Sequence, residues 1–484
     1  MNVLKRILYA VFVNQIDATQ FSTTRSWRNA PLQDARLDIT KSHRTVLQSK
    51  SRDWELSSAF YQSLASTWEQ YTVGTGIQLP AASSDEEWNK VADEEWEKSK
   101  PLLNIETRLG FDNDQGIVAR RDFVDGEHFL ILTREGAYPR YQMAEGHRCF
   151  TPESLASYEG KQIFDGVRVE NTGRVLGYYF DGSTTLVDAG FVVHVHEPGR
   201  ARQYRGIPRC TASLNILHDL QDLRLLEMVA AKDAAELSTI YKTESGEMPA
   251  SLVSMAQKFR STSTANGATG SVTDNRREYY QSAVGGKNIV LQRGDSATQH
   301  IPERPGTNTR EYWRLLQADV CADAKIPLSI IYPDSMQGTV FRGSISAFAS
   351  FCRGVTAVYS THFARVRNYT IRSATAYNSK LAKLPRDWQK VSPGTVRSPD
   401  VDIGRNSSAA IAELKAGIRT FCGLAAELGK DGKQLLREKA AEIAFIKELA
   451  KENNISPRDI SDALEEELAN LPASFSRRLQ TTDA

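Results

Sequence analysis

The sequence predicts an α+β protein, and three observations support this class. Helical periodicities, with apolar residues recurring every three to four positions, fill much of the first hundred residues and most of the second half of the chain. Between residues 126 and 196, short alternating runs are separated instead by Gly, Pro, Asn and Asp, which is typical of strands and tight turns. The 484 residues exceed the roughly 250–300 at which one core stops growing, so we expect about two to four packed regions.

The composition narrows the class of protein further. Hydrophobic residues make up 40% and charged residues 25%, and the mean hydropathy of −0.42 argues against a membrane protein. Sixty Lys and Arg balance 59 Asp and Glu, which leaves a formal charge of +1, so any contact with nucleic acid must come from a local patch. The five cysteines are scattered without C-x-x-C spacing, which indicates a reducing compartment, and we expect the chain to be assembled in the cytoplasm.

Two helices are predicted near the start of the chain. The apolar run of residues 7–13 is at the short limit for an export signal and is followed by no cleavage site, so it predicts a short helix. Residues 41–71 repeat apolar side chains at helical spacing, among them Val46, Trp54 and Leu56, and predict one continuous helix.

An acidic helix is predicted over residues 85–100. Ser83-Ser84-Asp85 caps it, and Trp88 and Trp96 are spaced to share the face that we expect to be buried. The acidic residues then form a solvated face.

Strands and a long helix make up the middle of the chain. The clearest alternating runs are residues 127–132 and 191–196. No Gly or Pro interrupts the leucine stripe that follows Pro208, and proline is tolerated in the first turn, so we predict one helix over residues 208–241. Residues 246–306 are polar and Gly-containing, and they predict a small separate module with a short strand at residues 288–291.

The second half of the chain is mainly helical. A helix is predicted over residues 308–324, stopped by Pro327, and a loop over residues 332–343. A very long helix is predicted from residue 343 to about residue 383, and two or three shorter helices over residues 409–471, before a frayed tail.

Residues that would carry catalysis are not recognisable in this sequence. The nearest approach to a phosphate-cradling loop, from Gly423 to Gly429, has the wrong spacing, and Asp431 stands where a hydroxyl is required. His194 and His196 share one strand face, but no third ligand completes a metal site, so we expect them to be structural. We therefore predict a protein that is not an enzyme and that has no cofactor and no metal.

Residues 335–386 are strongly asymmetric in charge. The segment contains no Asp or Glu but eight basic residues, namely Arg342, Arg353, Arg365, Arg367, Arg372, Lys380, Lys383 and Arg386. Two interpretations stay open: a surface that faces a polyphosphate, or a helix that pairs with acidic partners such as the acidic face of residues 85–97.

One short segment carries a resemblance to a known family. It consists of Gln203, Tyr204, Arg205, Gly206, Ile207 and Pro208 and precedes the first long predicted helix. With that helix, it makes the chain similar to phage portal proteins of the lambda-like family. Supporting matches are Ser51-Arg52-Asp53, residues 73–77, Gly126-Glu127, residues 416–418 and residues 427–429. The chain departs from the family at residues 401–406, which replace its usual segment before the C-terminal helices, and at the displaced Asp431.

The resemblance implies a portal-type fold, which has long stem and wing helices, a β-rich wing region, a small clip module and a helical C-terminal region. Carried onto this chain, the implied regions are an N-terminal wing at 1–207, a first stem helix at 208–241, a clip at 242–307, a second stem helix at 308–331, a tunnel loop at 332–343, a wing helix with its following segment at 344–400 and a C-terminal or crown region at 401–484.

The resemblance also implies a function. Such proteins form a ring, usually of twelve subunits, at one vertex of the capsid, and double-stranded DNA passes through it during packaging and ejection. Their partners are the large terminase subunit, the head-tail connector, the major capsid protein and the scaffold, and no membrane is involved. Gln337, Thr339 and Arg342 of the tunnel loop would then face the DNA channel.

Two other classes compete with this interpretation. One is a structural adaptor or scaffold of the capsid that never touches DNA. The other is a packaging enzyme such as the terminase, against which the missing phosphate loop argues.

Overall fold

The computed structural model of the chain describes residues 32–106, 109–242, 287–291, 307–333, 338–394, 396, 403–427 and 432–452. Its mixture of long helices and small sheets confirms the predicted α+β class. Several predicted features lie outside these residues, namely the helix at 7–13, most of the module at 246–306, Gln337 and the chain after residue 452.

Helices make up the first part of the described chain. They are α1 (Ala35–Asp38), α2 (Lys41–Ser57), α3 (Ala59–Thr72), α4 (Glu86–Ser99) and α5 (Phe111–Asp125). The prediction of one continuous helix over residues 41–71 is wrong, because Ser58 has an extended backbone. Its backbone N–H donates to the Trp54 carbonyl and ends α2, and its Oγ accepts from the Tyr61 N–H and caps α3.

The exposed side of α2 also differs from the sequence-based prediction. Val46 and Leu56 lie in solvent, whereas Arg44, Gln48 and Ser51 are buried together with Trp54. A helix can bury a row of polar side chains only where other parts of the protein supply hydrogen-bond partners. The spacing of apolar residues in the sequence does not reveal those partners.

The acidic helix α4 agrees with the prediction. Asp85 Oδ1 accepts hydrogen bonds from the backbone N–H groups of Glu87 and Trp88, at 3.1 and 3.0 Å, and thereby caps the helix. Trp88 and Trp96 are buried, and the Trp96 ring meets Phe111 edge to face.

The β-region contains two antiparallel sheets. Their strands are β1 (Glu127–Glu135), β2 (Tyr138–Glu145), β3 (Ile163–Phe164), β4 (Val167–Val169), β5 (Val175–Tyr178), β6 (Val187–Asp188) and β7 (Val192–His196). The first sheet has the order β2-β1-β7 and the second the order β3-β4-β5-β6. Both runs that were predicted as the clearest strands are therefore strands.

Strand β1 lies between two hydrophobic cores. Because side chains alternate along a strand, Leu130 and Leu132 face the core formed with the helices, and Phe129 and Ile131 face the core formed with the second sheet. This part of the chain is thus built around one strand.

The first long helix is shorter than predicted. It is α6 (Leu214–Glu236), and residues 237–242 form strand β8 (Leu237–Lys242), which pairs in parallel with β9 (Lys287–Leu291). The predicted start at Pro208 is wrong because the backbone N–H of Arg209 donates a hydrogen bond to the Phe123 carbonyl of α5. The predicted end at residue 241 is wrong because residues 237–242, which include the β-branched Thr239 and Ile240, form backbone hydrogen bonds with the distant strand β9.

The second half begins with α7 (Thr307–Asp323), α8 (Leu328–Ile331) and α9 (Gly338–Ala374). Helix α7 matches its prediction closely. The predicted loop at 332–343 is wrong in its second part, because α9 already begins at Gly338. Phe341 extends the row of Ile345 and Phe348 backwards, and Gly343 lies in open space within the helix.

The described C-terminal residues form three helices, α10 (Ile403–Lys415), α11 (Phe421–Glu427) and α12 (Gly432–Glu452). They agree with the prediction of two or three helices there. Within the described ranges, no helix has the combined length and apolar character that crossing a membrane requires.

Candidate functional site

Two segments that carry the family resemblance lie against each other. Gly206 packs on Gly126 so closely that a Cβ added to Gly206 would lie 1.9 Å from the Gly126 carbonyl oxygen. In return, a Cβ on Gly126 would lie 2.1 Å from the carbonyl carbon of Ile207, and Gly126 also has a φ of +82°. Both positions therefore require glycine.

A buried ion pair holds this contact in place. The Arg205 side chain is 4% exposed and that of Glu127 is 0% exposed, and Arg205 Nη2 lies 2.6 Å from Glu127 Oε1. Glu127 Oε2 also accepts a hydrogen bond of 2.9 Å from the backbone N–H of Gly206. Arg205 donates further bonds to the carbonyl oxygens of Gly146 and Cys149, so its donors are satisfied by the fold itself.

A second arginine and a second carboxylate complete the buried cluster. Arg44 Nε lies 2.5 Å from Asp165 Oδ2, and Arg44 Nη1 lies 3.4 Å from Glu127 Oε1. Two positive and two negative side chains leave this cluster close to neutral, which is what a buried ionic group requires. His194 Nε2 also reaches Glu127 Oε2, at 3.1 Å.

These contacts shift the protonation of the cluster. Burial alone would raise the pKa of the Glu127 carboxyl, but the charges of Arg205 and Arg44 and the hydrogen bonds from His194 and Arg205 hold that pKa well below its usual range. Burial lowers the pKa of His194 well below 6.5, and the neighbouring His196 lowers it further. Glu127 is therefore charged and His194 neutral at pH 7.

The rest of the signature segment also has structural contacts. Gln203 Nε2 donates to the Arg205 carbonyl, and its Oε1 accepts from the Gly199 N–H. Tyr204 OH donates to the Gly173 carbonyl at 3.2 Å. The carbonyl of Pro208 accepts from Thr211 N.

A third resembling segment meets the same strand start. Ser51 Oγ donates to the Val124 carbonyl, and Arg52 binds Asp125 through two bonds of 2.7 and 2.8 Å. Two segments that are far apart in sequence, residues 51–52 and 203–208, thus converge on residues 124–127, so the signature acts as a clamp between helices and sheet. The sequence analysis missed Arg44 and Asp165, and the only available signal was the polar row of α2.

A second polar network joins the clamp to the long helices. Arg209, just after the signature, lies 2.7 Å from Asp122 Oδ2 and 4.0 Å from the centre of the Trp68 ring. Tyr359 of α9 donates to the same Asp122 oxygen at 2.6 Å and accepts from Trp68 Nε1. Burial raises the pKa of Tyr359 well above 10, and Asp122 raises it further, so the phenol stays a donor.

The predicted channel residues lie away from the clamp. Arg342 is exposed in the second turn of α9, where its Nε donates to the Gly338 carbonyl at 3.1 Å. Thr339 belongs to the first turn of the same helix, and Gln337 lies outside the described residues. The structure therefore places Thr339 and Arg342 on a helix and not on a loop.

The basic stretch only partly pairs with the acidic helix. Arg367 is fully buried and its Nη2 lies 3.0 Å from Asp93 Oδ1 of α4. Burial raises the pKa of Asp93 and lowers that of Arg367, although the ion pair opposes both shifts. Arg353 and Arg372 are exposed, and neither has a carboxylate partner among the described residues. Among the described residues, the interpretation as a helix pairing with acidic residues thus holds for Arg367 and does not hold for Arg353 or Arg372.

The two histidines on β7 are packed against each other. Their rings stack at a centroid distance of 4.0 Å, with His194 also stacked on Phe129. In the parts of the chain that the structure describes, no three His, Cys, Asp or Glu side chains form a group that could hold a metal ion.

Helices α6 and α7 pack on each other and leave apolar side chains in solvent. Leu225, Leu226, Met228 and Val229 of α6 are 45–65% exposed, and Tyr312 and Leu315 of α7 are 55% and 57% exposed. Exposed apolar side chains clustered on two packed helices indicate a protein–protein contact.

Comparisons with known proteins identify the family. Among solved structures, the chain is similar to one titled "Neck of native GTA particle computed with C12 symmetry", with 11% identity and a TM-score of 0.47, over 81% of this chain and 94% of that chain. It is also similar to the virion of a native gene transfer agent particle, with 12% identity and a TM-score of 0.48, over 82% and 98% of the two chains. A third similar structure is the neck of an empty GTA particle computed with C6 symmetry, with 11% identity and a TM-score of 0.49, over 78% and 93%.

Sequence comparison is more decisive than these structures. No curated protein matches the sequence. A family model described as "Phage portal protein, lambda family" matches residues 21–342, about two thirds of the chain, and that range contains the whole signature clamp. The chain therefore belongs to the lambda family of phage portal proteins.

Proposed function

We propose that the protein forms a closed ring at one vertex of the capsid and serves as a passive conduit for double-stranded DNA during packaging and ejection. The observation that carries this proposal is the apolar surface of α6 and α7, in a chain that belongs to the portal family. These two helices are the proposed stem. A ring in which each subunit buries this surface against the next removes it from water, which favours association.

The proposed ring has twelve subunits, and the described elements have distinct places in it. Helix α9 and the β-region belong to the wing, α10 to α12 to the crown, and residues 242–307 to the clip. The proposed clip is the docking site for the large terminase subunit and later for the head-tail connector. The wing is proposed to contact the major capsid protein and the scaffold during assembly in the host cytoplasm.

The proposed channel contact lies at the start of α9. Gln337, Thr339 and Arg342 are the residues assigned to it, and exposure of Arg342 supports the assignment. One arginine per subunit, repeated around a ring, produces a collar of positive charge that steers a duplex. Each contact stays weak in salt, so moving DNA is not arrested.

Imaging and mass measurement of the purified protein test the ring. Negative-stain electron microscopy should show rings with an axial hole, and native mass spectrometry should give a mass that is a multiple of the 53.9 kDa subunit. Only monomer at micromolar concentration, under every salt condition, would contradict the proposal.

A deletion tests the clip. Removing residues 261–270, which lie outside the described residues, should leave rings intact and weaken packaging because terminase docks less well. Loss of rings would show that this segment serves assembly instead.

A further inference from the structure

A groove of about 560 Å³ lies between helix α9 and residues 389–396. Side chains at helical spacing form the wall that α9 contributes, among them Arg353, Ala357, Ala364, Arg365 and Asn368. None of the described residues that line the groove is Asp or Glu. The groove is therefore a basic surface with no acidic residue in its described walls.

The second wall runs antiparallel to α9. Asn368 Nδ2 donates to the Gln389 carbonyl at 3.3 Å, so this wall begins beside residue 368. Its other end meets the end of α3, since Val396 Cγ1 lies 3.1 Å from where a Cβ on Gly74 would be, and Thr356 Oγ1 donates to the last carbonyl of α3 at 2.7 Å. The groove thus follows about twelve residues of α9, or roughly 18 Å, which an extended chain covers in about five or six residues.

One main-chain edge of the second wall faces the groove. The opposite edge is already paired, because the backbone groups of Lys390 and Ser392 form hydrogen bonds of 3.0 and 2.9 Å with residues 80–82. Successive residues of an extended chain direct their backbone groups to opposite edges, so Gln389 and Val391 face α9. The Val391 N–H has no acceptor among the described residues. This edge is therefore open to another extended chain.

The polar groups along the groove also lack partners. Arg353 is exposed and has no carboxylate partner among the described residues. Arg365 Nη2 donates to the carbonyl oxygens of Ala189 and Val192, which orients the side chain without neutralising its charge. The Oδ1 atom of Asn368 is buried and accepts no hydrogen bond from the described protein. A fitting ligand must supply negative charge to both arginines and an N–H group to Asn368.

We infer that this groove binds an extended acidic segment of a partner protein. The segment pairs its main chain with the open edge at Val391 and places two carboxylates, about five or six residues apart, on Arg353 and Arg365. A peptide fits the groove better than a nucleic acid, because a phosphate backbone offers negative charge but no N–H groups. That the partner is the major capsid protein or the scaffold rests on the proposed function, which places α9 in the wing.

Binding of labelled peptides to the full-length protein, measured by fluorescence anisotropy, tests the site. The probe is a peptide of about ten residues in which Glu and Thr alternate, so that it spans the groove. One control peptide has Gln in place of Glu, and the other is methylated on its main-chain nitrogens. The acidic peptide should bind at least about tenfold more tightly than either control, which lack the charge or the donors. No binding of the acidic peptide at about 1 mM would overturn the inference.

Matched double variants locate the charges. Arg353→Ala with Arg365→Ala removes both charges of the groove, whereas Arg372→Ala with Lys383→Ala removes two exposed charges of the same acid-free segment outside it. The first pair should weaken binding of the acidic peptide by about tenfold or more at about 100 mM salt, and the second should match the wild type. Arg353→Lys with Arg365→Lys keeps the charges and should retain most of the binding. Equal losses in the two alanine pairs, or no loss in either, would overturn the inference.

A variant that fills the groove tests its shape without changing its charge. Ala357 is exposed on the groove wall, so the ring of Ala357→Trp occupies the space between the walls. Val358 is 45% exposed on the same helix but does not line the groove, which makes Val358→Trp the control. Both variants should keep the thermal stability of the wild type, and only the Ala357 variant should lose the acidic peptide. Undiminished binding by that variant would place the peptide elsewhere and overturn the inference.

Two other occupants of the groove are outcomes of the same experiment. A duplex of about 30 base pairs that binds as tightly as the acidic peptide, through Arg353 and Arg365, would identify a nucleic-acid site instead. Asp400 and Asp402 follow the second wall in sequence and lie outside the described residues. If only the variant Asp400→Asn with Asp402→Asn binds the peptide, the chain fills its own groove. Either outcome would overturn the inference.

The proposed function and the peptide site fail in different ways. If the wild type forms no rings, the proposed function fails, whatever the peptide does. If rings form while the acidic peptide does not bind, or binds independently of Arg353, Arg365 and Ala357, only the peptide site fails.

Discussion

At the scale of single residues, backbone contact and burial decide which side chains the fold tolerates. Gly206 has no space for a Cβ because the Gly126 carbonyl oxygen occupies it. Glu127 is buried as an anion because two arginines face it. His128, one position later, is buried as a neutral ring, and neither of its nitrogens has a hydrogen-bond partner in the described protein. These neighbours show that burial of a polar group requires either a partner or loss of its charge.

Replacing Gly206 should destabilise the protein strongly. Gly206→Ala places a Cβ 1.9 Å from a backbone oxygen, and backbone cannot move aside as a flexible side chain can. We expect a loss of about 3 kcal/mol or more in the free energy of unfolding, measured by urea denaturation. Gly343→Ala is the control, since nothing lies within 4 Å of its Cβ, and in a helix it should be neutral or stabilising by up to about 1 kcal/mol. Equal stability of the two variants would show that the clamp can open.

Burial of His128 should make stability depend on pH. Burial lowers its pKa from 6.5 to about 3, and the charges of Arg121 and Arg52 contribute to the shift. Because the unfolded chain binds this proton more readily, the stabilisation is complete above pH 6.5 and is lost as the pH falls below that value. Between about pH 7 and pH 5 the wild type should lose roughly 2 kcal/mol through this group.

The variant His128→Leu isolates that effect. Urea denaturation of wild type and variant at both pH values should show a smaller loss in the variant, by about 2 kcal/mol. The other buried histidines remain in both proteins and cancel in the comparison. The same loss in both would show that His128 does not titrate in this range.

At the scale of elements, long-range partners determine where helices begin and end. The local sequence pattern predicts that α6 continues to residue 241, yet the pairing of β8 with β9 ends the helix at Glu236. Helix α9, by contrast, begins earlier than predicted. The apolar row of Phe341 and Ile345 continues the helix through Gly343. Helix α9 also connects the molecule, because Tyr359 and Arg367 join it to α5 and α4.

The start of α9 supplies a prediction about the channel. Arg342→Glu reverses one charge per subunit at an exposed position, so rings should still assemble while DNA packaging or retention is impaired. Ring formation is measured by negative stain and packaging by protection of DNA from nuclease. Arg342→Lys keeps the charge and should package normally. Normal packaging by the Glu variant, or its failure to form rings, would show that Arg342 does not face the channel.

At the scale of the whole molecule, the described protomer buries its apolar residues unevenly. The part built around β1 has two continuous cores, whereas the paired helices α6 and α7 have a buried contact at their base and exposed leucines beyond it. That imbalance supports the proposed ring, in which the exposed leucines would be buried between copies.

Charges placed on the exposed apolar residues of α6 and α7 should therefore prevent assembly of the proposed ring without unfolding the subunit. Leu226→Glu with Leu315→Glu introduces two charges at positions that are 65% and 57% exposed in the protomer. The thermal stability of the subunit should change little, but the rings should be lost in native mass spectrometry, because the interface would bury unpaired charges. Leu56→Glu, at a position that is 89% exposed on α2, is the control and should leave rings intact. Rings formed by the double variant would exclude this surface from the interface.

The class of the fold and much of its local structure could be predicted from the sequence. Alternation predicted β1 and β7, the cap at residues 83–85 and the Trp88–Trp96 spacing predicted α4, and the resemblance of residues 203–208 indicated the portal family that sequence comparison confirms. All of these depend on residues close together in the chain, where spacing and capping act directly.

The role of the signature depends on contacts between distant parts of the chain and is visible only in the folded protein. Arg205, Glu127, Arg44 and Asp165 span more than a hundred positions, and no local pattern marks them as one cluster. The same holds for the break at Ser58, for the strand at residues 237–242 and for Arg353 and Arg372 of α9, which have no carboxylate partner among the described residues. Each of these features depends on which distant group supplies or withholds a hydrogen bond or a charge, and that depends on how the whole chain packs.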